Sequence, residues 1–305
     1  MENIEDIKRK IAKRKFYNKL FAIIGLMSTM VGLALLVTLF ADLAIDGTPR
    51  LSFKFFTSFP SRFPDEAGIL SAWVGTCLVM FVTASAAIPL GIGAGIYLEE
   101  YARKNWLTHI IEININNLAG VPSIIYGLLA LSLFVYFFKF GESVLTAGLA
   151  LALLILPMII MATREAIRAI PNSIREASYA LGATKWQTVI NHIIPYSTGG
   201  ILTGIIIGLS RAIGETAPII TVGALTFIAF LPPSPVGGDF PFINFKWLLA
   251  PFTVMPIQMF NWVSRPQQAF HLNAAAAGMI LLVMTMVMNA IAIYIRYKFR
   301  KKIKW

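Results

Sequence analysis

The stretch REAIRAIPNSIREASYALGATKWQTVINHIIP, residues 164–195, lies between two apolar runs, 143–163 and 197–230, and its reading decides the fold. It carries too many helix signals to be a tether. Ser173 followed by Glu176 has the spacing of a capping box, in which a hydroxyl and a carboxylate satisfy two orphan N–H groups at a helix start. A short helix is therefore predicted after Pro171. Gly182 then supplies the left-handed turn that ends it. Thr184 followed by Gln187 repeats the capping signature and predicts a second helix running to Pro195. Two short helices joined at Gly182 make a compact knob, and the residues alone leave its use open. It is either a dock for a partner or an interfacial hairpin that tidies a loop.

Outward from the knob the chain is built for lipid. Of 305 residues 57% are hydrophobic and 13% charged, with a mean hydropathy of +0.72, whereas soluble domains carry about 25% charged residues. About 20 apolar residues cross the hydrocarbon core as a helix. Six segments qualify: 20–43, 70–98, 118–138, 143–163, 197–230 and 275–296. The first is longer than the ~7–15 residues of a signal-peptide core, so it is read as a retained span. An even number of spans puts both termini on one side, together with the 164–195 loop. Nineteen of the 26 Lys and Arg residues then fall on that side and six on the other, with Arg211 inside a span. Such a bias marks the cytoplasmic side. Clustering of the +11 charge at the two ends of the chain also argues against a nucleic-acid arm.

The resulting organisation has residues 1–19 as a cytoplasmic segment, 20–43 as the first span and 44–69 as an extracytoplasmic loop. A membrane core follows over 70–296, and a basic cytoplasmic tail over 297–305. Ile4, Ile7 and Ile11 recur at helical spacing among lysines, predicting a short amphipathic helix along the inner membrane surface. FKWLLAPFTVMPIQMFNWV (245–263) is apolar enough for a seventh span, but Pro251 and Pro256 interrupt it and a seventh crossing would place the basic tail outside. Within the extracytoplasmic segment 232–272 it is read as an interfacial or folded region, with Trp247 and Trp262 at headgroup level. FKFFTSFPSRF (53–63) looks like its companion. Cys77, alone in an apolar segment, is read as a small hydrophobe and expected to be buried.

Arg211 and Glu215 are the only charged residues between 196 and 231. Gly200, Gly204 and Gly208 recur every four residues, the small-residue pattern that lets membrane helices approach closely. On a regular helix Gly204, Gly208, Arg211 and Glu215 share an arc of roughly 60°, so both charges face protein. Two roles stay open. Arg211 is a cation for an anionic substrate with Glu215 orienting it, or the two are a structural pair that joins helices. Pro122 in the third span removes a backbone bond and predicts a kink. Asn116, Asn117, Ser123 and Tyr126 either line a wet path or, the favoured reading, hydrogen-bond between helices, and Gly91, Gly93 and Gly95, beside Pro89, are read as close-packing positions. No G-x-x-x-x-G-K-[ST] phosphate loop occurs, and no nucleophile–base pair or metal-ligand spacing points to an enzyme.

EASYALG followed by IIP resembles the EAA loop of ABC-importer permeases, with Glu176, Ala177, Gly182 and Pro195 at matching positions. Ser178 replaces the second Ala, and His192 and Ile194 replace the usual Ile and Leu. AGVPSIIYGL (119–128), REAIRAIPNSIREASYALGATKWQTV (164–189), LSRAIGETAP (209–218) and NWVSRPQQAFH (261–271) together resemble the PstA-type permeases of phosphate importers over nearly the whole chain from about residue 70. The first three blocks are also similar to the sister PstC-type subunit; the fourth favours PstA. The resemblance implies an all-α membrane protein of the type I ABC importer permease kind. It implies a heterodimer with a PstC-like permease, two PstB-like ATPases that hold ATP and magnesium, and an extracytoplasmic phosphate-binding protein. It also implies that Glu176 to Gly182 seats in the ATPase. No cofactor belongs to this chain itself. The rival readings are a permease for sulfate or molybdate and a gradient-driven anion carrier.

Overall fold

The computed structural model describes residues 4–235 and 244–300. The tail cations Lys301, Lys302 and Lys304 and the middle of the 232–272 segment lie outside the described residues. Among the described residues every regular element is helical. The first helix, α1 (Ile4–Gly47), runs for 44 residues, about 66 Å at 1.5 Å per residue. The predicted amphipathic segment and first span are thus one continuous rod. A short α2 (Phe53–Thr57) follows, capped by the Ser52 hydroxyl, which accepts from the Phe55 N–H.

Three helices form the centre: α3 (Leu70–Ile96), α6 (Val144–Arg168) and α9 (Ile194–Gly214). In lipid no hydrophobic drive pulls helices together, so close approach at small residues must do it. A Cβ at Gly91 would lie 2.6 Å from Ile159, one at Gly95 2.6 Å from Thr163, and one at Gly200 2.5 Å from Ala166. A Cβ at Gly204 would overlap that of Ala162, whereas Gly208 has ordinary space against Ile155 and Ile159. Gly93 faces open space, so of the three expected close-packing glycines of α3 only those four residues apart meet α6. The Thr83 hydroxyl donates to the Gly148 carbonyl at 3.1 Å, joining α3 to α6 by a polar bond as well.

Two predicted spans are broken. The third, predicted as 118–138, is only α5 (Ser123–Ala130) continuing as wide turns to Phe137, and α4 (Trp106–Leu118), which lies outside the predicted bounds, meets it at 107° as one bent pair. Pro122 stands at the corner as the residue before α5. The Tyr126 hydroxyl donates to the Leu118 carbonyl at 2.7 Å, which also accepts from the Val121 N–H at 3.1 Å, so both bonds fasten the bend. The fifth, predicted as 197–230, stops at Gly214. Glu215 has extended backbone, and the chain then makes the five-residue α10 (Ala217–Thr221). Among the described residues five helices are long and apolar enough to cross a membrane, or six with the bent pair counted as one crossing.

The knob departs from prediction in two ways. Helix α7 (Asn172–Ala180) starts without a side-chain cap, so the Ser173–Glu176 box does not form; Pro171 already fixes the entry, and the first turn faces water. The second helix does not stop at Pro195. From α8 (Lys185–Thr188), which does carry the Thr184–Gln187 box, a wide turn over Val189–Ile193 leads directly into α9. That turn spreads the backbone before the proline ring, so proline sits in the first turn of α9 rather than ending a helix.

At the opposite end of the bundle, 245–263 is folded protein and not a span. It forms a short turn, Lys246–Leu249, and α11 (Met255–Val263). Backbone bonds Val144 N–H to Ala250 O (3.1 Å) and Leu225 N–H to Phe252 O (3.1 Å) tuck it into the bundle. Trp247 and Trp262 are buried, not at headgroup level: Trp262 is 0% exposed and packs with Phe55, Phe270 and the start of α12 (Gln268–Arg300). Two indoles with protein on every side bury more apolar area than they would at an interface. Arg50 reinforces this cap by donating to Asn273 at 2.6 Å and to the Pro64 carbonyl.

Candidate functional site

Arg211 sits in the last turn of α9. Its Nε donates to Glu215 Oε1 at 3.1 Å, and its Nη1 lies 3.6 Å from the Met158 sulfur on α6, a weak acceptor. Among the described residues no oxygen accepts from its two terminal nitrogens. The Arg211 side chain is 36% exposed and that of Glu215 20%. Because α9 ends at Gly214, Glu215 reaches back from beyond the helix, and the shared arc holds only as far as Arg211. The pair is therefore a single-bond contact that leaves most of the fork open, at a point where the backbone leaves helical geometry. The preceding residue, Ser210, donates to Asn289 of α12 at 2.6 Å, so polar groups also bridge another flank of α9.

The second site is the knob. Glu176 and Ala177 are exposed on α7. Gly182 has φ +81°, the left-handed conformation that side chains resist, and no neighbour stands near its Cα. Leu181 beside it is 89% exposed and Trp186 64%. Ser178, which stands where the resemblance calls for alanine, is the buried residue of α7; its hydroxyl meets that of Thr188 at 2.8 Å and fastens α7 to α8. His192 lies in the wide turn before α9, among the residues that link the knob to the span.

A third arrangement escaped the sequence reading. The wide turn that follows α3, Tyr97–Tyr101, carries Glu99 and Glu100, and the two carboxylates meet different arginines. Glu99 accepts from Arg168 at 3.0 Å and lies 3.6 Å from Arg164, which also pairs with Glu112 of α4 at 2.6 Å. Glu100 accepts from Arg175 of α7 at 2.6 Å. Arg164 is 5% and Glu100 8% exposed, so these are buried charges held by partners. The signal was two adjacent glutamates closing a span where cations prevail. Counting only Lys and Arg for orientation passed over them.

A family model described as "Binding-protein-dependent transport system inner membrane component" matches residues 87–305. The chain belongs to this family. Among relatives of this binding-protein-dependent permease, the probable ABC transporter permease protein YqgI of Bacillus subtilis is 36% identical, over 70% of this chain and 72% of its own length. The phosphate transport system permease protein PstA of Yersinia pestis is 30% identical over 98% of this chain and 95% of its own. PstA 1 of Mycobacterium tuberculosis is 32% identical over 78% and 73%. The fold matches that of a bacterial ABC transporter involved in alginate import (TM-score 0.59, 14% identity, 96% of this chain and 98% of that one). It also matches the MetNI methionine ABC transporter (TM-score 0.56, 16% identity, 75% and 94%). A binding-protein-dependent permease is a multi-pass membrane transport subunit rather than an enzyme. It works beside a sister permease, an ATPase and a binding protein.

Proposed function

We propose that this permease is one of the two membrane subunits of a phosphate importer driven by ATP hydrolysis on partner subunits. The observation that carries this reading is Arg211: a guanidinium in a stretch whose only other charge is Glu215, at a helix break, with no oxygen partner for its terminal nitrogens among the described residues. A planar fork that donates two parallel bonds suits a tetrahedral oxyanion. An ionisable group at mid-bilayer costs on the order of 2.5–3.5 kcal/mol even on the lenient insertion scale, so a purely structural use leaves that cost largely uncompensated by one Nε contact. The relatives named as phosphate transport permeases favour phosphate over sulfate or molybdate.

On this reading both termini lie in the cytoplasm of a prokaryotic cell, and the path is completed by a PstC-like permease. A PstB-like ATPase pair, which holds ATP and magnesium, seats against α7 at Glu176, Ala177 and the Gly182 turn. An extracytoplasmic phosphate-binding protein delivers cargo to the cap built from α2, α11 and the start of α12. ATP binding closes the ATPases, rocks the two permeases and opens the path outward; hydrolysis resets it. The test is uptake by vesicles holding all partners, comparing phosphate, sulfate and molybdate with and without ATP. Phosphate uptake that requires ATP is expected. Transport by this chain alone on an ion gradient would overturn the reading, and a preference for sulfate or molybdate would overturn its substrate.

A further inference from the structure

We propose that Arg175 and Glu100 form the joint through which a force applied to α7 reaches spans α3 and α6. The proposal rests on the reading of α7 as the ATPase dock. Helix α7 is tied into the chain by two short turns, one containing Pro171 and one centred on Gly182 at φ +81°. Backbone turns of this kind transmit torque poorly, because each contains φ/ψ pairs free to absorb a rotation. A dock on such a helix moves the spans only if side chains bridge the turns. Arg175 makes that bridge. Its Nε and Nη2 both donate to Glu100 Oε1, at 3.0 and 2.6 Å. Its Nη1 donates to the Ile170 carbonyl at 2.9 Å and to Asn172 Oδ1 at 3.3 Å, and its Nη2 to the Ile167 carbonyl at 3.2 Å.

One planar group thus grips the wide turn that follows α3, the Ile167 carbonyl in the last turn of α6, which also accepts from the Ile170 N–H at 3.1 Å, and the Ile170 carbonyl just past that helix. The Arg175 side chain is 16% and that of Glu100 6% exposed, so water does not compete for the bonds. The exposed docking residue Glu176 is the next residue in the chain. A lysine cannot reproduce the grip, since it has no fixed fork to reach the carboxylate and both carbonyls at once. Downstream, the Ser178–Thr188 bond ties α7 to α8 and through it to α9. Arg175 is therefore a positioning residue, acting on the spans and not on the cargo.

Loss of either charge alone strands the other in a buried site, which any structural role would also suffer. Replacing both by apolar residues removes that penalty. The decisive variant is therefore R175M/E100M in the complete complex with sister permease, ATPases and binding protein, reconstituted in vesicles. Phosphate uptake and ATP hydrolysis are measured side by side, with thermal stability and ATPase copurification. The single variants R175M and E100Q are expected to melt earlier than wild type. The double variant is expected to recover melting and copurification, yet to move at least tenfold less phosphate per ATP hydrolysed. Wild-type uptake per ATP in the double variant would overturn the proposal, and so would failure of the double variant to assemble, since the pair would then serve folding. Absence of ATP-dependent phosphate uptake in the wild-type complex would instead sink the underlying reading of the permease.

Discussion

The glycine ladder of α9 makes a prediction that separates two positions sharing one face, with an open glycine of α3 as control. Replacing glycine by alanine in a helix gains about 1 kcal/mol of helix propensity. Where the new methyl meets packed neighbours, overpacking costs about 1–3 kcal/mol. A Cβ at Gly204 would overlap the Ala162 Cβ, which belongs to the facing helix and has no rotamer to yield. At Gly208 the nearest atoms stand 3.6 Å away, ordinary contact distance. Gly93 of α3 has no neighbour within 4 Å and serves as the open control. G204A should therefore lose up to about 2 kcal/mol net, while G208A and G93A gain up to about 1 kcal/mol. The assay is thermal unfolding of the detergent-solubilised complex followed by size exclusion. At on the order of 2 °C per kcal/mol for a large chain, G204A should melt a few degrees below the other two. If G204A melts level with or above G208A, then α6 and α9 do not pack on this face as described.

Three further outcomes follow from named contacts. R211Q should leave complex assembly intact and lower phosphate uptake by roughly 10–100-fold, the equivalent of one charged hydrogen-bonding group at about 1.5–3 kcal/mol; loss of assembly with Glu215 stranded would mark the pair as structural. G182L should weaken copurification of the ATPase, since φ +81° strains any side chain and strain of this kind costs about 1–3 kcal/mol; unchanged copurification would count against docking at α7. W262A should destabilise the chain by about 3–5 kcal/mol, as for other fully buried aromatics, read as loss of folded protein on solubilisation. A tryptophan at headgroup level would tolerate the change.

What could be read from the sequence was local. The Thr184–Gln187 box and the left-handed turn at Gly182 depend on residues a few positions apart, and both formed. The Ser173–Glu176 box has the same pattern and did not form, because Pro171 sets the start of α7 without it. Pro195 looked like a terminator; the wide turn at Val189–Ile193, which no residue pattern announces, lets the helix run on. Trp262 looked interfacial because its neighbours are apolar and aromatic. Only the return of Phe55, 207 positions earlier, shows what covers it. The ionic lattice was hidden for the same reason. Arg175 and Glu100 are separated by 75 positions, and their meeting depends on how α3 and α6 pack.

The two breaks in the spans explain why Arg211 is tolerable where it is. Irregular backbone at membrane depth survives only when buried in protein or lining a wet cavity. The segment after Gly214 satisfies the first condition on one side. Gly127 of α5 lacks the Cβ that would overlap the Thr221 hydroxyl and crowd Pro218 of α10, so the two broken spans pack directly on each other. On the other side Arg211 and Glu215 remain partly exposed, and among the described residues Met158 is the one hydrogen-bond partner of the guanidinium beyond Glu215. A face of this kind cannot rest against acyl chains, because two unneutralised Nη groups would lose their hydration without replacement. It must face water or a second protein, and on the proposed reading a permease seam would supply both: a sister subunit to enclose the path, and a path that brings a hydrated anion to the free half of the fork.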